Sequence, residues 1–146
     1  MSKDEKDILL KDLSARLPYG VKGRVWRNDH NNRKCEFVAT IDGKLYDRFA
    51  VFQESWYDNV TIKPCLFPLS SMTKEQYEEW CNLEAEPLDE ILTRNANGEK
   101  MSTLEHHLLI AKSLTDSVNY CYKNHLDIYG LIPMGLAEDA TNKNIY

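Results

Sequence analysis

The spacing of apolar residues changes its period several times along the chain, and each change predicts an element. Over 4–17, Leu10, Leu13 and Leu17 recur at helical intervals, with Ile8 and Leu9 widening the stripe. Lys3, Lys6, Asp7 and Lys11 supply the polar positions, and Pro18 and Gly20 stop the helix. The period then falls to two. Residues 21–27 read as a strand, 28–32 as a polar loop, and 34–41 as a second strand in which Cys35, Phe37, Ala39 and Ile41 alternate with Glu36, Val38 and Thr40. Asp42-Gly43 predicts a tight hairpin turn, because both turn positions need positive φ. The return strand is expected over 44–52, with Leu45, Phe49 and Val51 on one face and Tyr46, Arg48, Ala50 and Phe52 on the other, so both faces are partly apolar. A fourth strand is expected over 59–63, before Pro64.

The second half reads as helical. Thr73 with Gln76 three residues on forms a capping box, opening a helix whose apolar side is Tyr77, Trp80 and Cys81. Pro87 is expected to start a separate amphipathic turn over 88–94, followed by a loop at 95–98. Ser102 and Glu105 form a second box at the head of the longest helix, 103–124, with a core stripe of Leu104, Leu108, Ala111, Leu114, Val118, Cys121 and Tyr122. Gly130, Pro133 and Gly135 punctuate 126–140, predicting a turn and one short helix, and 142–146 reads as loose. The pattern predicts an α+β fold in a single domain. It comprises an N-terminal helix over 1–18, an antiparallel β-meander of three to four strands over 19–63, and a helical half over 64–146 whose two to three helices pack on the sheet.

Composition agrees with a folded domain: 146 residues, 42% apolar and 28% charged. The net charge of −5 argues against general nucleic-acid binding, which shows a clustered basic surface, while leaving room for a local patch. No apolar run approaches the roughly 18 residues that span a bilayer, so no membrane partner is expected. Asp4, Glu5 and Asp7 stand where a targeting signal would carry bases, which places the protein in the cytoplasm. Cys35, Cys65, Cys81 and Cys121 lie far apart without a C-x-x-C pair and read as thiols, mostly buried; a zinc site would lack its chelate spacing. Neither nucleotide fingerprint surrounds Gly20, Gly23 or Gly43, and no cofactor is expected.

Candidate chemistry is sparse. His106 and His107 point about 100° apart on a helix and cannot chelate one metal. His125 and Asp127 form the one conceivable catalytic pair, a carboxylate able to orient an imidazole; the competing reading is helix termination, since the helix dipole favours histidine at a C-terminus. The hydroxyls of Ser70, Ser71 and Thr73 are explained by capping. An acidic run includes Glu75, Glu78 and Glu79, which read either as a solvated helix face or as a docking surface for a protein partner. Tyr129, Leu131 and Met134 in the Gly/Pro-punctuated tail are the second candidate partner surface. Aromatics and bases interleave in the expected sheet, and Arg24, Trp26, Arg27, Tyr46 and Arg48 are the candidates for stacking single-stranded nucleic acid.

Three phrases carry a resemblance. They are Ala15-Arg16-Leu17-Pro18-Tyr19-Gly20-Val21-Lys22, the run from Ile62-Lys63-Pro64-Cys65-Leu66-Phe67-Pro68-Leu69 to Ser70-Ser71-Met72-Thr73, and the run from Asn124-His125-Leu126-Asp127 through Tyr129-Gly130-Leu131-Ile132-Pro133-Met134-Gly135 to Leu136-Ala137, with Tyr146 last. In these the chain resembles a family of short uncharacterised proteins of gut Bacteroidota genomes, their phages and mobile elements. Cys65 and Phe67 depart from it, standing where related sequences carry an aromatic and a basic residue. The resemblance implies a phage or mobile-element setting in a bacterial host cell, and brings no activity. The expected function is a non-enzymatic module that binds a protein partner or itself. The alternatives are a single-stranded nucleic-acid binder and a small metal-dependent or hydrolytic enzyme.

Overall fold

The computed structural model describes residues 1–28, 33–51 and 60–146. The fold is α+β, with an N-terminal helix, a mixed sheet and further helices. Contacts gather residues 1–71 and 125–146 into one compact unit and 72–124 into another.

The first unit begins with α1, Lys3–Arg16. Ser2 caps it: the Ser2 hydroxyl accepts from the Glu5 N–H at 3.1 Å, and the Glu5 carboxylate accepts from the Ser2 N–H at 2.6 Å. Its buried positions are Leu9, Asp12, Leu13 and Arg16, an i, i+3, i+4, i+7 stripe that alternates leucine with charge. Strands β1, Lys22–Asn28, and β2, Lys34–Thr40, pair antiparallel with Lys22 opposite Thr40. Gly23 is required by close packing, because a Cβ there would meet Ile41 Cδ1 at 2.9 Å and the Lys63 carbonyl at 3.1 Å.

The expected return strand is instead a helix, α2, Gly43–Val51. Asp42 is its cap rather than a hairpin corner: its carboxylate accepts from the Leu45 N–H at 2.8 Å and its carbonyl from the Tyr46 N–H at 2.9 Å. Leu45, Tyr46 and Phe49, spaced i, i+1, i+4, then turn to the core. Apolar residues on both faces of a supposed strand are what one face of a helix produces when read with period two. Phe52 and Asn59, at the ends of the third and fourth expected strands, lie outside the described residues.

Strand β3, Thr61–Leu66, pairs antiparallel with the other edge of β1, and β4, Glu138–Asp139, adds parallel to β3. The order β2-β1-β3-β4 puts β1 in the middle, so the sheet is mixed and is not the meander expected. The core joins Leu9 and Leu13 of α1, Val21, Val25, Ile41, Phe49, Ile62 and Leu66, and Leu131, Leu136 and Ala137 from the returning segment. That segment runs through turns where a short helix was expected, with Gly130 and Gly135 at φ of 70° and 74°. Its end is tied down and not loose. The Tyr146 hydroxyl donates to the Cys65 carbonyl at 2.7 Å and accepts from the Lys22 N–H at 3.0 Å, while Lys22 Nζ donates to the Ile145 carbonyl at 2.6 Å.

The second unit is a helical hairpin of α3, Lys74–Ala96, and α4, Thr103–Lys123, each opened by the capping box its sequence predicts. Helix α3 does not break at Pro87. Proline deprives the Leu83 carbonyl of its helical donor, and Ser113 Oγ of α4 donates to that carbonyl instead, at 3.2 Å. Tyr120 to Glu79 at 2.7 Å and Gln76 to Asn124 at 3.5 Å continue the antiparallel register.

Candidate functional site

The His125–Asp127 region has a structural occupation for each of its groups. Asp127 is buried and accepts from the Leu131 and Ile132 N–H groups at 2.8 and 2.9 Å, closing the turn that follows it. His125 follows the C-cap of α4 with φ of 56°, the left-handed position that reverses a chain after a helix. Its ring stacks on Tyr146, with centroids 3.9 Å apart and planes 13° from parallel. Burial, with the Arg16 and Lys22 charges beside it, lowers its pKa from 6.5 to about 4, so the imidazole is neutral near pH 7, and Nδ1 is buried without a hydrogen-bond partner.

Next to it lies a pair that the sequence reading passed over. Asp12 and Arg16, both fully buried, form a two-pronged ion pair at 2.7 and 2.9 Å, and Arg16 also donates to the Leu126 carbonyl at 2.7 Å. Burial pushes the Asp12 carboxyl up, against the pull of Arg16. The signal was available: opposite charges at i and i+4 on the same helix face as Leu9 and Leu13. Cys65 is buried and its thiol is pushed up by that burial, the reverse of an activated nucleophile.

The outward face of the sheet carries part of the expected aromatic and basic set. Arg24 is engaged by Glu36 and, at 2.8 Å, by Glu138. Arg27 lies over the Phe37 ring at 5.7 Å. Tyr46 and Arg48 belong to α2 and are not on the sheet at all. A shallow cleft of about 660 Å³ remains, lined by Trp26, Arg27, Lys34 and Lys63 with Glu138. Of the expected partner surface in the tail, Tyr129 and Met134 are exposed, but Leu131 is fully buried in the core and cannot reach a partner.

The helical hairpin supplies what the sequence placed elsewhere. Glu75, Glu78 and Glu79 are exposed on α3, and Glu79 accepts from the Tyr120 hydroxyl, which burial and that carboxylate push up to about 12. The α4 stripe expected in the core is turned outward: Leu104, Leu108, Leu114 and Val118 are exposed, at 41–68% of their full surface, and only Cys121 and Tyr122 of the stripe are buried. Helix α4 instead buries Ser113 and Ser117 within the hairpin. On α3, Leu88 and Leu92 are exposed as well. Leu88 and Ile91 of α3 line, with Ile110 and Leu114 of α4, a groove of about 280 Å³. Periodicity found the stripe; it does not say which of two candidate faces meets the neighbouring helix.

Among the described residues no group of three or more metal-binding side chains converges, and no helix is long and apolar enough to cross a membrane. The fold and its surfaces define a small α+β protein with a helical hairpin that carries exposed leucines. No family model, curated protein or solved structure matches the chain.

Proposed function

We propose that this chain is a non-enzymatic binding module that recognises a polypeptide, in the phage or mobile-element setting its three phrases resemble. The observation that carries the reading is the outward apolar face of α3 and α4. An apolar groove lined by Leu88, Ile91, Ile110 and Leu114, on helices that expose further leucines, is a costly arrangement in water and a common one at protein interfaces. The His125–Asp127 pair supports it from the other side, since the Asp127 carboxylate is engaged by backbone donors and the imidazole lies stacked on a tyrosine. Photo-leucine incorporated into the full chain and irradiated in cells tests the reading. Adducts to polypeptide from Leu88, Leu92 and Leu114 are the expected result, and labelling of these sites by water alone overturns it.

The Trp26, Arg27, Lys34 and Lys63 cleft supports a second reading, a single-stranded nucleic acid stacked on the indole with its phosphates on the three bases. It predicts oligonucleotide binding at low salt that weakens steeply as salt rises, and absence of binding at low salt ends it.

A further inference from the structure

We infer that Asn97 is a site of spontaneous modification, at which its side-chain amide is exchanged for a carboxylate and the turn joining α3 to α4 is loosened. The reaction needs no partner but water, and it proceeds whether or not a polypeptide is bound elsewhere.

The sequence sets the chemistry. Asn97-Gly98 is the one Asn-Gly pair in the chain. An asparagine Cγ can close a five-membered ring with the backbone nitrogen of the next residue, and ordinarily that residue's side chain crowds the approach. Glycine has none. At Gly98 even an added Cβ would meet nothing within 4 Å, so the surroundings do not shield the approach either.

The step balances without an oxidant or a reductant. The Gly98 nitrogen gives up its proton to hydroxide and bonds to Asn97 Cγ. The Cγ–Nδ2 bond then breaks, and the amide nitrogen takes a proton from water and leaves as ammonia. Water opens the resulting succinimide at either carbonyl. One opening leaves aspartate. The other leaves isoaspartate, whose main chain runs through the former side chain and is longer by one carbon.

The fold decides whether such a pair reacts, and here both residues are exposed. Asn97 caps the C-terminus of α3, and Gly98 follows in the left-handed region at φ of 73°. Among the described residues the Asn97 carboxamide has no hydrogen bond to hold it. Its counterpart at the end of α4 is held: the Asn124 carboxamide donates to the Tyr120 carbonyl at 2.9 Å and is followed by a histidine. Asp42 also precedes a glycine, but its carboxylate is engaged by the Leu45 N–H at 2.8 Å.

Only backbone guards Asn97. The Gly98 N–H donates to the Asn95 carbonyl at 3.1 Å and the Glu99 N–H to the Arg94 carbonyl at 3.0 Å, the paired bonds that close a helix on a glycine. Attack requires the first of these to break and the Asn97 ψ to turn away from its 1°. Helix ends fray at little cost, so this opening is a small barrier. The product then resists reclosure. Its carboxylate stands at the negative end of the α3 dipole, and Arg94, the base of the last turn, already pairs with Glu90 and Glu99. In isoaspartate the added main-chain carbon also takes the Gly98 and Glu99 N–H groups out of register with their carbonyls.

The full chain, kept folded in warm, mildly alkaline buffer, tests this by peptide mapping over time. The peptide containing Asn97 should gain the mass of an amide-to-acid exchange and resolve into aspartyl and isoaspartyl forms. Its rate should lie within about ten-fold of that in the urea-unfolded chain, because a frayed helix end opens so readily. Native isoelectric focusing should show a band one charge more acidic than the parent at −5. Asn97→Gln, which would need a six-membered ring, should keep its mass and the native circular dichroism. In the isoaspartyl form, hydrogen exchange at the Gly98 and Glu99 amides should be faster than in the parent. An Asn97 that stays intact in the folded chain while the unfolded chain converts overturns the site, since the turn then protects it. Conversion that leaves exchange at Gly98 and Glu99 unchanged overturns the loosening of the turn.

Discussion

The two compact units assign their side chains in opposite ways. In the unit built on the sheet, an arginine and an aspartate are completely buried beside Leu9 and Leu13 of the same helix. In the helical hairpin, five leucines stand more than half exposed on α3 and α4 while two serines are buried between the helices. Residue type alone therefore does not fix every position in either unit. A buried polar group is held there where it finds a partner. Arg16 finds a carboxylate and a carbonyl, and Ser113 finds the carbonyl that Pro87 strands. Small interface residues also let two helices approach closely, and this leaves the larger side chains to point away.

The contrast is sharpest where it is most easily broken. Arg16→Ala leaves the Asp12 carboxylate buried without its counter-charge, and should cost about 3–5 kcal/mol in denaturant unfolding. The Asp12→Asn, Arg16→Met double variant should recover much of that loss, because it removes the stranded charge. Next in size is a pair of matched truncations. Leu13→Ala, at a fully buried position, should cost about 2–5 kcal/mol, whereas Leu104→Ala should cost less than about 0.5 kcal/mol when measured at high dilution.

A smaller effect depends on pH. His125 is neutral in the folded chain down to about 4, while in the unfolded chain it takes up a proton near 6.5. Between those values the unfolded state binds more protons, so its contribution to stability is complete above about 6.5 and is lost as pH falls toward 4. Solvent screening of a half-buried ring keeps this on the order of 1–2 kcal/mol. The difference in unfolding free energy between the native chain and His125→Asn, followed from pH 7 to pH 4, should shrink by that amount. An unchanged difference would remove the imidazole from the account. The smallest effect runs the other way: Ser117 Oγ is buried with no hydrogen-bond partner, and Ser117→Ala should raise the melting temperature, with a gain of up to about 1 kcal/mol.

Elements whose signals are local were legible in the sequence. The capping boxes at Thr73 and Ser102 opened helices where they stand, and the alternation over 34–41 became β2. Misreadings arose where one local signal has two structural outcomes. Asp42-Gly43 serves a hairpin or a helix cap, and only the i, i+1, i+4 spacing of Leu45, Tyr46 and Phe49 separates them. Strand β4 has two residues and no periodicity to read; its partner strand lies 73 positions earlier, counting from Glu138 back to Cys65. The candidate surface was half visible. The α4 stripe was found from its period, and its outward direction follows from how Ser113 and Ser117 pack, a tertiary choice that no single helix records.

Pro87 links the two helices of the hairpin. While α3 stands alone, its two halves, either side of the proline, share one hydrogen bond fewer than an unbroken helix would. The replacement donor to the Leu83 carbonyl sits 30 residues after it, on Ser113. The second half of α3 is thus expected to consolidate when α4 arrives, and a proline that would ordinarily loosen a helix here couples the formation of two helices. Ser113→Ala would separate those events, and the trace would be an early, partly helical phase in refolding that the native chain lacks.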